Sequence, residues 1–311
     1  MLYKNMKRKI FIFFSLLITL IIAIIICEIF FRIFPEKILG KGGIAFNSWY
    51  KKYVSLNNEG FWDYNYEYNS DKKTILVIGD SFSFGHGLNN FKNTYAKQLE
   101  KLMSNDNYRV INLSKCGWDM SNAYDILLKK GIKYKPQIVI CQFYLNDIPA
   151  NEYIKKLRYH SPFPKNIHNY LFNKSYFYNF IIFTYNYIKE ILGLKENFNQ
   201  AQAELILNNS EQYQLFLELV IKTKNFCKEQ NIDFIYILWP VITKNYVKFS
   251  KAYKKIEEDL LKEKINVINL DNYFQERKDK NDLILSVRDV HPSVKGHKLT
   301  SEIIFKYLKR K

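Results

Sequence analysis

Five short apolar runs, rich in β-branched residues, punctuate the chain: TILVIG (74–79), YRVINL (108–113), QIVICQF (137–143), DFIYIL (233–238) and INVINL (265–270). They are too nearly continuous to leave one face in water, so they predict strands of a sheet covered on both sides. Between them lie TYAKQLEKLMSN, MSNAYDILLKKGI, EQYQLFLELVIKTKNFCKEQ and SKAYKKIEEDLLKEK, and SVKGHKLTSEIIFKYLKRK follows the last. In the first, Tyr95, Leu99 and Leu102 recur at helical spacing, and the next three repeat the habit. Strand and helix in alternation predict a three-layer α/β/α sandwich around a mainly parallel five-stranded sheet.

The composition, 48% hydrophobic with 11 Gly and 7 Pro in 311 residues, is that of a folded chain. A formal charge of +17 raises the question of a nucleic-acid partner, but the lysines are spread along the whole sequence and form no basic stripe. No nucleic acid is expected. Such a surface instead has some attraction for anionic lipid or an acidic glycan.

The N-terminal segment carries a different signal. Between Ile10 and Cys27 there is no charged residue, which as a helix makes roughly 27 Å against a hydrocarbon core of about 30 Å. EIFFRIF follows, with Glu28 and Arg32 placed for the far headgroups. Lys4, Lys7, Arg8 and Lys9 precede the span, so the N-terminus is expected in the cytoplasm and everything after about Phe34 outside it. The apolar core lacks a small-x-small site after it, and Ile26 before Cys27 is not the small residue that lipoprotein processing wants, so the reading is an uncleaved signal anchor.

The resulting plan is a cytoplasmic basic segment (1–9), a transmembrane anchor (10–34), a linker and lead-in (35–72) containing Pro35, Gly40, Gly42 and Gly43, and an α/β domain (73–311). Residues 148–209 interrupt the alternation with Tyr, Phe and Asn and no clean strand. Asn173, Lys174, Asn179 and Asn186 break this stretch too often for a second span. It predicts a helical insertion packing its aromatics on the sandwich, with a lid or a bilayer-resting surface as the sharper alternatives. Cys27 lies in the span, and Cys116, Cys141 and Cys227 form no C-x-x-C pair, so no metal site is expected and a disulfide among the three stays open.

The chemistry concentrates at sheet ends. VIGDSFSFGHG (77–87) puts Ser81 just past the first strand, on the edge where parallel sheets hold ligands. A serine hydroxyl needs a base to become a nucleophile, and RDVHPSVKGH supplies His291 with Asp289 two residues before it. Oxyanion donors are expected from Gly117 and Asn146, after the second and third strands, together with the Ser81 amide. The G-x-S-x-G elbow is missing, and no Gly-Lys-Ser/Thr completes a phosphate loop. Asp80 and Asp147 are read as local hydrogen-bonders, and His86 and His297, with no partner pattern, as surface or loop residues.

GDSFSFG, a glycine after the second strand, NDI after the third and DVHPSVKGH near the end resemble, in order, the four blocks of the SGNH (GDSL-type) hydrolases. The resemblance runs from about Asn57 onward and implies a flavodoxin-like SGNH fold. It implies Ser81 as nucleophile, His291 as base, Asp289 as the acid orienting it, and Ser81, Gly117 and Asn146 as the oxyanion hole. The single residue Val290 between acid and histidine is similar to the spacing in some membrane-anchored, polysaccharide-modifying relatives.

The function so implied is a membrane-anchored, extracytoplasmic serine esterase needing no cofactor. Its partners are the membrane, through the N-terminal helix, and an acylated carbohydrate or other ester, with O-acetyl groups of a cell-surface glycan foremost. A polysaccharide O-acetyltransferase using the same triad is the alternative, and a non-catalytic glycan-binding or assembly protein the third reading.

Overall fold

The computed structural model describes residues 2–35, 42–157, 161–242, 247–275, 277–286 and 289–310. Five strands, β1 (Lys73–Ile78), β2 (Tyr108–Asn112), β3 (Ile138–Phe143), β4 (Asp233–Leu238) and β5 (Asn266–Asn269), fall on the five apolar runs. A further pair, β6 (Ile284–Ser286) and β7 (Asp289–Pro292), forms a small antiparallel ribbon. The helices are α1 (Leu2–Ile33), α2 (Gly43–Tyr53), α3 (Ser81–Phe84), α4 (Tyr95–Leu102), α5 (Met120–Lys129), α6 (Glu152–Leu157), α7 (Lys165–Phe172), α8 (Tyr176–Ile191), α9 (Phe198–Leu207), α10 (Glu211–Glu229), α11 (Val247–Lys262), α12 (Asp271–Phe274) and α13 (Val294–Leu308).

The large sheet has the order β2-β1-β3-β4-β5, and every pairing in it is parallel. All six residues of β3 and five of six in β1 are buried, which is why neither run alternates polar with apolar. Because β2 and β3 lie on opposite sides of β1, right-handed crossovers send α4 to one face of the sheet and α5 to the other. Accordingly α4 packs with α13, and α5 with α10. The same reversal of direction at β1 opens a crevice at the carboxyl ends of β1 and its neighbours.

The helices start where short polar side chains can occupy free N–H groups. Thr94, Ser210 and Ser293 accept hydrogen bonds from Lys97, Tyr213 and Gly296 amides, and Asp119 forms a capping box with Asn122.

The chain divides into two compact units, Met1–Lys52 with Ser161–Leu192, and Tyr53–His160 with Gly193–Lys311. The first holds α1, α7, α8 and most of α2. Within α1, Met6–Ile33 is long and apolar enough to cross a membrane, the single such helix among the described residues. The second holds the sheet and its covering helices.

The sequence 148–209 contains helices and, among the described residues, no strand. Its parts go different ways: α9 buries Ala203 and Ile206 in the core of the sheet unit, whereas α7 and α8 belong to the unit of α1. Within the stretch read as linker and lead-in, Gly43–Tyr53 are helical, and Gly40 lies outside the described residues. Cys27, Cys116, Cys141 and Cys227 are free thiols, with Cys141 fully buried against the Met120 sulfur.

Candidate active site

β1 ends at Ile78, and Gly79 and Asp80 turn the chain into the single-turn helix α3, whose first residue is Ser81. A side chain at Gly79 would press within 2.8 Å of the Gln142 amide oxygen and 2.9 Å of Ser83 Oγ, so the glycine lets the turn sit tight on β3. Asp80 caps the helix by accepting the Phe82 N–H at 2.9 Å. At this N-terminal position the Ser81 amide has no intrahelical acceptor. Ser83, two residues on, points the other way into a buried network with Tyr95 OH and Gln142.

Asp289 and His291 lie on β7 with Val290 between them. Strand side chains alternate, so a spacing of two puts acid and imidazole on one face and turns Val290 to the other, where it packs on the core. His291 Nδ1 donates to Asp289 Oδ1 at 2.5 Å, and its Nε2 stands 2.8 Å from Ser81 Oγ. The same Asp289 oxygen accepts the His291 backbone N–H at 3.2 Å. Phe82 covers one side of the imidazole, with ring centroids 4.8 Å apart. The histidine is therefore held by a strand.

Asn146 sits in the turn after β3, where its Nδ2 donates to Asp80 Oδ2 at 3.1 Å. A carboxylate only accepts, so Asp80 fixes the amide with its NH2 group toward the serine turn and leaves a second N–H on that nitrogen. Asp147 accepts the Tyr144 N–H at 2.8 Å and closes that turn, as a local hydrogen-bonder should. Burial and the nearby Asp80 charge push its carboxyl well above the usual range. Gly117 lies in the loop after β2 with φ +81°, and an added Cβ would meet nothing within 4 Å. Conformation rather than space calls for glycine there. That loop begins beside the serine turn, through the Lys115 N–H to Gly79 carbonyl bond at 3.4 Å.

Two histidines differ from the sequence reading. His86 is buried, and its Nε2 donates to Asp289 Oδ2 at 3.2 Å while its ring lies 4.1 Å from that of His291, the planes tilted by 38°. Each carboxylate oxygen thus holds one imidazole. Its neighbours Gly85 and Gly87, at φ +91° and +80°, fold the segment back after α3, and Gly87 abuts Leu285 on β6 so closely that a Cβ would stand 2.2 Å from its Cδ1. A histidine between two glycines, right behind the serine turn, was the available signal. His297 is also fully buried, on α13, where Nδ1 accepts the Tyr95 N–H at 3.1 Å. Burial lowers it to about 3, so it is a neutral core histidine.

Burial alone would raise the Asp289 carboxyl, yet the charges and hydrogen bonds of His291 and His86 hold it well below the usual carboxylate range. The ligand-type atoms of His86, Asp289 and His291 lie within 4.8 Å of one another, a spacing that a metal ion would accept. Each is already turned on a neighbour, however: both carboxylate oxygens on imidazoles, and the outer nitrogen of His291 on Ser81. The bonds run from both imidazoles to one carboxylate and, through His291, end on a hydroxyl. The Cys116 thiol, pushed up by burial and by Asp80 and Asp289, stays protonated and takes no part in them.

No protein-family model matches the sequence, and none of the curated proteins is similar to it in sequence. Among solved structures, the chain is similar to the lipase/acylhydrolase from Enterococcus faecalis, at 13% identity over 76% of this chain and 95% of that one, with a TM-score of 0.47. It is also similar to the psychrotrophic esterase EstA from Pseudoalteromonas sp., at 15% identity over 77% and 98% and a TM-score of 0.47. A third is the acetyl xylan esterase AlAXEase, at 14% identity over 75% and 98%, again with a TM-score of 0.47.

Proposed function

We propose that the chain is a serine esterase of the SGNH type, held to a membrane by α1 with its sheet domain outside the cytoplasm. Its substrate is an ester-linked acyl group, foremost the O-acetyl of a cell-surface glycan. One arrangement carries the chemistry: Ser81 Oγ, His291 and Asp289 are linked end to end by bonds of 2.8 and 2.5 Å at the carboxyl edge of a parallel sheet.

In this reading His291 Nε2 takes the Ser81 proton as Oγ attacks the ester carbonyl, and Asp289 stabilises the imidazolium that forms. The oxyanion is met by the Ser81 and Gly117 N–H groups and by Asn146 Nδ2, whose orientation Asp80 holds. The alcohol departs with the proton from His291, and water, activated by the same imidazole, releases the acid. A free Asn side chain would lose entropy on each turnover, and its tether to Asp80 supports the donor role. The basic surface favours an acidic polymer, and the apolar length of α1 supports the anchor.

The test uses the full chain in detergent: release of p-nitrophenol from its acetyl ester, and labelling by a fluorophosphonate, beside Ser81→Ala and His291→Ala. Turnover and labelling in the wild type, both lost in the two variants, establish the serine mechanism. A folded wild type that neither turns over nor labels removes it. With a glycan acceptor present, acetylated glycan forming faster than free acetate would replace esterase by acetyltransferase.

A further inference from the structure

The end of α1 is not bare. Glu28, one turn from the end of the apolar segment, accepts the Tyr176 N–H at 3.2 Å, the Phe177 N–H at 2.9 Å and the Ser175 hydroxyl at 2.8 Å, and Arg32 pairs with it at 3.1 Å. A carboxylate at the N-terminus of a helix satisfies amides that have no intrahelical acceptor. Here the carboxylate comes from one helix and the amides from another, so α1 is tied to the start of α8, which Ser175 also caps by accepting the Tyr178 N–H. Phe31 completes the joint by stacking on Phe180 and Phe177, at 4.5 and 6.3 Å between ring centroids.

The face of α8 that meets α1 does not stop at that joint. From Phe177, steps of four and three residues lead through Ile181, Thr184 and Ile188 to Ile191, one continuous stripe on the helix. Beyond the contact with α1 the stripe is open except at half-buried Thr184: Ile181, Ile188, Ile191 and the following Leu192 are 40, 48, 65 and 63% exposed. On α7, which packs against α8, Ile167 and Tyr170 are exposed as well. Tyr176 is buried in the cluster of Phe31 of α1, and the opposite side of α8 buries Tyr178, Asn179 and Ile182. Contiguous exposed apolar surface of this kind marks an interaction site.

We infer that α8 lies in the membrane–water interface, with the Ile181–Ile188–Ile191 stripe seated among lipid headgroups and upper acyl chains. This rests on the reading of α1 as a membrane span. The occupant is lipid because the stripe continues the α8 face that packs on α1, starting from a point Glu28 holds at the end of the apolar segment. Its roughly 24 Å of helix is of a length to lie along a bilayer surface. Exposed Lys165 and Lys174 supply cations for lipid phosphates, and the tyrosines of both helices suit the same depth. Glu28 then has a function beyond that of a headgroup residue: it sets the depth of an interfacial helix.

The full chain, reconstituted in phosphatidylcholine–phosphatidylglycerol vesicles, tests this with a photo-crosslinking phenylalanine analogue at single positions. Lipid adducts at 188 and 191 should approach those at 18 in α1 and exceed those at 261 and 273, exposed residues of the sheet unit, by about tenfold, as expected for a face sunk 5–10 Å into the headgroup boundary. Adducts at 18 with none at 188 and 191 overturn the inference and leave the anchor standing. No adducts at 18 overturn both. Adducts at 188 to a second copy of the chain, in place of lipid, assign the stripe to an interface between copies and also overturn it.

Discussion

Two of the charge clusters among the described residues of the sheet unit are built to opposite ends. In one, Lys97 pairs with Asp63 at 3.0 Å and Glu100 at 3.1 Å and donates to Tyr66 OH and the Val110 carbonyl. Asp63 in turn accepts the Asn112 N–H, and Glu100 the Val110 N–H. Every group faces another within the cluster or the adjoining β2 backbone. In the other, Asp289 divides its oxygens between His86 and His291, but the chain of bonds leaves the cluster at Ser81. A closed cluster fixes the fold, whereas one that ends on a hydroxyl can move a proton. Burial raises Asp63 even with Lys97 beside it, while Asp289, equally buried, is held low by two imidazoles.

Substitutions should separate the two clusters. The largest effect is expected from Ser81→Ala and His291→Gln, which should lower kcat on p-nitrophenyl acetate by about 10⁶-fold with little change in the thermal midpoint. Asp289→Asn should follow, with a loss of about 10⁴-fold, since an amide presents the wrong tautomer to His291. An Asp289→Asn enzyme that keeps wild-type kcat would show that the second cluster is as structural as the first.

Lys97→Met should do the reverse. Removing one partner leaves the buried Asp63 carboxylate uncompensated, at a cost of about 3–5 kcal/mol read from the urea midpoint, while kcat of the folded fraction is unchanged. Were kcat to fall in step with stability, the two clusters would be coupled and the contrast between them lost.

His297 sharpens the comparison from a third side, since it is a buried histidine with no carboxylate. Its folded pKa of about 3 lies below the unfolded value near 6.5, so the unfolded chain binds the extra proton between them. Stability from this group is whole above about pH 6.5 and falls as the pH drops toward 3, by roughly 2 kcal/mol at pH 5. Denaturant titrations of wild type and His297→Gln should show this slope in the first and a flatter one in the second.

The contrast also shows what one sequence can disclose. Strand positions were legible because burial on both faces leaves uninterrupted apolar runs such as those around Ile75–Ile78 and Ile138–Phe143. The grouping of Ser81, Asp289 and His291 could be anticipated because Ser81 follows a strand end and a spacing of two sets Asp289 and His291 on one side of the chain. His86 was not, for its partner lies 203 residues away and only the folded ribbon of β6 and β7 brings them together. Lys97 reads like any helix-surface lysine until Asp63, 34 residues earlier, is known to sit under it. Glu28 reads as a headgroup residue, and its bond to the start of α8 spans 148 positions. Local pattern discloses elements, and long-range polar pairs have no local pattern.

The smallest catalytic effect is expected at His86. It touches neither Ser81 nor, by position, the ester, and acts through Asp289 by occupying the oxygen that His291 does not use. In His86→Leu that oxygen is buried without a donor, and the carboxylate can rotate out of line with His291. A loss in kcat of about tenfold, with KM unchanged, is expected for one hydrogen bond to a charged group. Asp289 would then direct its whole charge to His291, so the acid limb of the pH–rate profile should move to higher pH. His86→Gln, which keeps an N–H donor, should recover part of both effects. A merely structural His86 would lower the thermal midpoint and leave the profile of the surviving enzyme where it was. The profile, more than the rate, therefore decides whether Asp289 serves one histidine or is positioned by two.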